Sequence, residues 1–178
     1  MEEFVNTIDV IGDDELAKTI IEGTITEFKD NIIQKLGKHA LCACKNLITV
    51  NMPNVTEIGE YCFWTCEKLI TCDLSSIETI EVNTFYNCYR LKAFILRNGI
   101  IPTLKHTNAF GNCYHFFGTV HNIYNKDGLK DGYFYVPKAL IEDYKVETNW
   151  ATFADQFRAL EDYTVDGTIT GELDESKI

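Results

Sequence analysis

The sequence predicts an α+β repeat fold: a solenoid of stacked short strands and turns, closed by an N-terminal helical cap and a C-terminal α/β cap. Three observations predict it. Residues 36–103 divide into consecutive units in register, apolar residues fall into fixed columns from unit to unit, and the flanking segments drop the period and take up helix and strand signals of their own.

The units are LGKHALCACKNLITVNMPNVTE (36–57), IGEYCFWTCEKLITCDLSSIET (58–79) and IEVNTFYNCYRLKAFILRNGIIPT (80–103), with periods of 22, 22 and 24 residues. GTITEFKDNIIQK (23–35) matches a second half-unit, and LKHTNAFGNC (104–113) a first half with one extra residue. The apolar columns are Leu36/Ile58/Ile80/Leu104, Leu41/Phe63/Phe85/Phe110, Ile25/Leu47/Leu69/Leu91, Phe28/Val50/Cys72/Phe94, Met52/Leu74/Leu96 and Ile33/Val55/Ile77. One coil cannot bury its own apolar edge, but stacked coils bury a continuous one, so such columns are the physical mark of a solenoid.

This gives four regions: an N-terminal segment and helical cap (1–23), the solenoid (24–113), an aromatic loop with a C-terminal cap (114–163), and an acidic tail (164–178). In DDELAKTIIE (13–22), two acids open a helix that sets Leu16, Ile20 and Ile21 on one face before Gly23 stops it. In each unit, runs such as L-x-x-V-x-M form the strand segment. Their alternate positions, Thr49/Thr71/Ala93 and Asn51/Asp73/Ile95, are expected to point outward as a flat strip. YHFFGTVHNIYNKDGLKDG (114–132) reads as a long loop, and YFYV (133–136) as a strand. Pro137 opens a helix, PKALIEDYKV, and Asn149 caps a second, NWATFADQF, before RALEDY (158–163) closes the cap as a strand. In the tail, Asp166-Gly167 between β-prone residues marks a hairpin turn.

The net charge is −11, and the excess acid lies at the ends: residues 36–160 balance at twelve acids and twelve bases. No basic run is present to displace counterions from a phosphate backbone, so nucleic acid is not expected as a partner. No stretch is long and apolar enough to cross a bilayer, which argues against a membrane-embedded protein. The opening MEEFVNTIDVIGDDELAK is acidic where a secretory signal is basic and then apolar, so no export signal is expected.

Of the seven cysteines, Cys44, Cys66, Cys88 and Cys113 share one column, three residues after the Leu or Phe. A metal or thiol ladder is one reading of that column. Small buried side chains whose S–H groups serve backbone carbonyls at the turn are the favoured one, because a spacing of about 4.8 Å between coils suits neither a disulfide nor a tetrahedral metal cluster. Cys72 sits in a core column, and the pairs Cys42/Cys44 and Cys62/Cys66 are weak metal signals with no matching second pair. The histidines His39, His106, His115 and His121 lack metal-binding spacing, and no phosphate loop or nucleophile elbow is found. Neither a catalytic nor a metal residue is assigned, and no cofactor is expected. The candidate ligand-binding residues are Tyr114, His115, Phe116, Phe117, His121 and Tyr124 in the loop, with Trp64 in a column whose other members are Cys42, Tyr86 and Gly111. Exposed aromatics anchor sugars and protein partners. The alternative for the loop rings is that they cover the open end of the last coil.

The segments LGKHALCACKNL, IGEYCFWTCEKL and IEVNTFYNCYRL resemble the I-G-x-x-A-F-x-x-C-x-x-L unit of BspA-type leucine-rich repeats over residues 24–113, with Leu41, Cys62, Thr84 and Glu81 as departures. Glu81 in place of Gly implies that the third coil turns differently. The flanking segments are similar to repeat proteins of Firmicutes phages and prophages. Together these resemblances imply a leucine-rich-repeat solenoid acting as a non-catalytic binding or structural module of a phage virion, in its tail, baseplate or head fibre. The implied partners are a bacterial surface protein or glycan and, through the termini, other virion proteins, in a homo-oligomer with a trimer as the expected state. A bacterial cell-surface adhesin is the second reading, and a thiol or metal hydrolase the third.

Overall fold

The computed structural model describes residues 10–12 and 25–162. The expected N-terminal helix, the tail hairpin and the last residue of the closing strand lie outside the described residues.

Each coil contributes two short strands, and these stack into two parallel sheets. The five-stranded sheet runs β1 (Val10–Ile11), β3 (Lys35–Leu36), β5 (Glu57–Ile58), β7 (Thr79–Ile80) and β9 (Thr103–Leu104). The six-stranded sheet has β2 (Glu27–Lys29), β4 (Thr49–Asn51), β6 (Thr71–Asp73) and β8 (Ala93–Ile95), then β10 (Tyr133–Val136) and β11 (Phe157–Ala159). The register is the one the repeat predicts: Phe28, Val50, Cys72 and Phe94 are successive partners, as are Leu36, Ile58, Ile80 and Leu104. Every residue of the six apolar columns is buried except Ile25, which is partly buried against the same core.

A third ladder runs along the turns. Leu41 N donates to Cys62 O, Phe63 N to Thr84 O and Phe85 N to Ala109 O, each at 2.7–2.9 Å. Two residues farther on, Ala43, Thr65 and Asn87 bond in the same way to Trp64, Tyr86 and Gly111. To make that corner the backbone turns left-handed twice per coil, at His39, Tyr61 and Asn83 and again at Ala43, Thr65, Asn87 and Asn112, all with φ between 58° and 66°. The coils approach closely here: a Cβ on Gly59 would come within 2.5–2.8 Å of the Gly37–Lys38 backbone, so only glycine fits. Glu81 holds the equivalent position in the third coil, where Thr84 Oγ1 closes the turn onto Glu81 O at 2.7 Å.

The core is organised around rings. Phe63, Phe85 and Phe110 stack nearly parallel with centroids 5.0 and 5.4 Å apart, continuing the column that Leu41 begins. At the C-terminal end Phe110 meets Phe94, Phe134 and Phe153 edge-on, and Trp150 fills the remaining space with its indole N–H donated to Pro102 O.

Several local expectations are corrected. Residues 137–145 form a 3₁₀ turn, Lys138–Leu140, and a single α-helical turn, Ile141–Tyr144, in place of one helix. Trp150–Gln156 is 3₁₀ and breaks at Phe153. Asn149 makes no capping bond; with φ of 64° it turns its amide to the Leu104 and Lys105 carbonyls, tying this segment to β9. The closing strand starts at Phe157 and ends at Ala159, followed by a 3₁₀ turn. Nor is the outward strip on the six-stranded sheet uniformly open. Ile95 and Ala93 are buried with Tyr135 and Leu160 packed against them, and buried Asp73 binds Arg97 and Ser75. For Ala93 and Ile95 the cause is β10, which pairs with β8 and sets Tyr133 and Tyr135 beside them.

Candidate functional site

The turn edge of the solenoid, together with residues 114–132, gathers the candidate residues. This segment has more internal structure than a plain loop. Tyr114–Phe117 forms one helical turn that Gly118 ends in the left-handed conformation, with φ of 63°. His121 and Asn125 then exchange both backbone hydrogen bonds, at 2.9 and 3.0 Å. The buried Asn125 amide donates to the Tyr114 and Leu129 carbonyls and accepts from Leu129 N, so one side chain holds three strands of chain together.

His115, only 6% exposed, is the clasp between this segment and the coils. Its Nδ1 lies 2.5 Å from Asp131 Oδ1 and its Nε2 lies 3.1 Å from Tyr124 O, while Lys92 Nζ binds the other Asp131 oxygen at 2.8 Å. Burial alone would raise the Asp131 pKa, but the Lys92 ammonium and the His115 ring outweigh it and hold the carboxyl below its usual range.

The clasp holds four rings against one another at the surface. Tyr89 stacks on Tyr114 at 5.2 Å and on Tyr124 at 4.6 Å, and His121 stacks on Tyr114 at 4.9 Å and on Tyr124 at 5.1 Å. All four are partly exposed. Arg90 lies 5.6 Å from the Tyr124 centroid, and the Tyr124 hydroxyl reaches Glu67. Burial, followed by neighbouring ionisable groups, raises the pKa of Tyr89 and Tyr114, so both stay neutral hydrogen-bonding groups.

The structure divides the candidates. Tyr114, His121 and Tyr124 form the ring set. His115 lies beneath it, and Phe116 is buried against Phe110 and Phe134, where it covers the last coil and offers nothing to a ligand. Phe117 is exposed on another side, 5.5 Å from Phe153. Trp64 stands apart on the second coil, 39% exposed, with its ring edge-on to Tyr61 at 6.3 Å. Sequence reasoning missed Tyr89, Arg90, Glu67, Lys92 and Asp131. Tyr89 was the detectable one, since it stands one repeat before Tyr114 in the alignment of the units.

The cysteine column is a row of donors. Cys66 Sγ lies 3.2 Å from Leu41 O, Cys88 Sγ 3.2 Å from Phe63 O and Cys113 Sγ 3.2 Å from Phe85 O, each reaching back to the preceding coil. Cys44 turns to the Cys42 carbonyl of its own coil at 4.0 Å. Burial pushes the Cys66, Cys88 and Cys113 thiols up. The contact with Cys66 and then burial do the same for Cys44. Such thiols are poor nucleophiles, because the thiolate is the reactive form. Among the described residues no group of three or more His, Cys, Asp or Glu side chains is placed to hold a metal ion. No helix among them is long and apolar enough to cross a membrane.

A family model described as a BspA type leucine rich repeat region matches residues 6–127 in 6 copies, extending past residues 24–113 on both sides. No curated protein matches the sequence.

Proposed function

We propose, from the premise that this chain belongs to the BspA-type leucine-rich-repeat family, that it is a non-catalytic binding module whose contact surface is the ring-bearing turn edge. One observation carries this reading. Tyr89, Tyr114, His121 and Tyr124 are packed together at the surface over a polar clasp, His115–Asp131–Lys92, whose members stand outside the apolar core cluster. Rigid, half-exposed rings lose little conformational freedom on binding and present large contact area, the properties of an interface anchor.

Within this reading β10, β11 and the aromatic cluster around Trp150 act as the C-terminal cap, covering the apolar end that a bare last coil would expose. The place of action that we propose is a phage particle. The module faces a bacterial surface, is held to other virion proteins by its termini, and assembles as a homo-oligomer. The similarity of both flanks to phage-encoded repeat proteins supports this. A bacterial surface adhesin is the rival assignment, and the presence or absence of the chain in purified particles, read by mass spectrometry, separates the two.

The binding reading is tested by staining a panel of bacterial strains with fluorescently labelled protein. Staining of particular strains, reduced tenfold or more in Tyr124→Ala, is the expected outcome. Equal staining by wild type and variant removes the ring set from the interface, and a panel with no stained strain removes the recognition role.

A further inference from the structure

The ring set is one end of a longer surface. In the 22-residue register the turn side carries three outward columns, 39/61/83, 42/64/86/111 and 45/67/89/114, spaced three residues apart along each coil. Aromatics occupy them obliquely, stepping one column per coil: Tyr61 and Trp64 in the second coil, Tyr86 and Tyr89 in the third, Tyr114 and then Tyr124 at the end. Trp64 is exposed and the other five are partly exposed. Gly111 keeps the band open, since a side chain there would occupy the space of the Tyr86 ring.

Polar groups run beside the band in the left-handed column. Asn112 Nδ2 donates to Asn87 Oδ1 at 2.8 Å, and Asn87 Nδ2 points to Thr65 Oγ1 at 3.5 Å. Trp64 is exposed and meets Tyr61 edge-on without a stacked neighbour, whereas Tyr89, Tyr114 and Tyr124 pack ring to ring; the Tyr61 hydroxyl takes a hydrogen bond from Asn83 Nδ2 and the Tyr124 hydroxyl gives one to Glu67. The charge differs from that of the whole chain. Lys38, Lys45, Lys68, Arg90 and Lys105 stand on the turn segments against Glu60, Glu67 and Glu81, a positive excess on a protein whose net charge is −11.

We infer that this oblique band, resting on the binding role proposed above, is the seat of a linear glycan carrying acidic groups. An indole face stacks on a sugar ring; rows of tyrosine hydroxyls and asparagine amides match the alternating donors and acceptors of a polyhydroxylated chain. Successive coils rise by about 4.8 Å, and a band that crosses them obliquely steps farther than that, so rings on three coils span an extended chain of several sugars. The basic excess selects an acidic chain over a neutral one.

The test uses the full chain and two defined probes, a galacturonate hexamer and chitohexaose, by isothermal titration calorimetry at low salt. The galacturonate hexamer should bind at least tenfold more tightly than chitohexaose, and more tightly than its own trimer. Trp64→Ala and Tyr114→Ala, on different coils, should each weaken it about tenfold, while Ile100→Ala, elsewhere on the surface, changes nothing. Equal binding of the two hexamers, or indifference to both ring variants, overturns the inference. Stained bacteria are treated in parallel with protease or with periodate, which cleaves vicinal diols. Loss of staining with periodate alone supports a glycan. Loss with protease alone overturns the glycan while leaving the binding role intact.

Discussion

Thr65 stores strain. It is β-branched yet sits at φ of 61°, in a column where the next two coils place Asn87 and Asn112. A left-handed conformation costs an ordinary L-residue about 1–2 kcal/mol, and asparagine pays less because its side chain bonds locally. Thr65→Asn should therefore stabilise the protein by about 1 kcal/mol and raise its Tm by roughly 2–4 °C, extending the Asn87–Asn112 amide row by one member. A thermal melt with an unchanged or lower midpoint contradicts it. The cysteines allow an equally local prediction. Cys44, Cys62, Cys66, Cys72, Cys88 and Cys113 are buried, and Cys42 alone is partly exposed. Brief iodoacetamide treatment of native protein should label Cys42 and spare the other six until denaturant is added, as read by peptide mass spectrometry. Fast labelling of any of the six would reopen thiol chemistry.

At the level of elements, the Phe63–Phe85–Phe110 stack joins three coils. Phe85 sits in its middle with a fully buried ring. Phe85→Ala should cost about 3–5 kcal/mol, since neighbours fixed in coils cannot collapse into the space; chemical denaturation measures it. The clasp at residues 114–132 answers to pH instead. Because the folded-state pKa of Asp131 lies below the ordinary 3.8, its ionised form stabilises the segment above that pH, and the contribution is lost as the pH falls through the folded value. Near-UV circular dichroism from the stacked tyrosines should decline below pH 3.8, and Asp131→Asn should lack that titration step. How much of this was legible in the sequence follows the period. Leu, Phe and Cys columns recur in register from unit to unit, so the pairing, the burial and one strand per coil could be written down in advance, whereas the two-residue strands of the five-stranded sheet are too short to carry an alternation of their own and were not read. The clasp could not be written down either, because Lys92 and Asp131 are 39 residues apart, and neither could the Tyr124–Glu67 contact of the ring set, 57 residues apart, with no repeat to align them. The 3₁₀ turns were misread as helices because their apolar residues recur at a spacing that both helix types share. Asn149 was misread because a polar residue before a helix marks a cap, whereas here its amide serves β9.

For the whole molecule, the decisive feature is that stability is handed from coil to coil and ends against β10 and β11. Phe94 and Phe110 are buried partly by Phe134, which arrives 40 residues after Phe94 in the same ladder. Ending the chain at residue 132 would leave the β8 edge unpaired and these rings bare, a combination that favours association. Size-exclusion chromatography of such a truncation should show aggregates or soluble oligomers; a well-folded monomer would show that residues 133–178 are dispensable to the architecture. The acidic ends leave the middle of the chain electrically balanced, so added salt should change the melting temperature of the solenoid little.

The backbone of each coil meets its successor through the same bonds: two strand pairings, the corner ladder and a thiol reaching back to the carbonyl behind it. Nothing in that set records an ordinal position. An in-frame duplication of residues 58–79 would find matching partners above and below, and would lengthen the molecule by about 4.8 Å without redesigning either end. Reach is thus a quantity that unequal recombination can adjust by whole rungs.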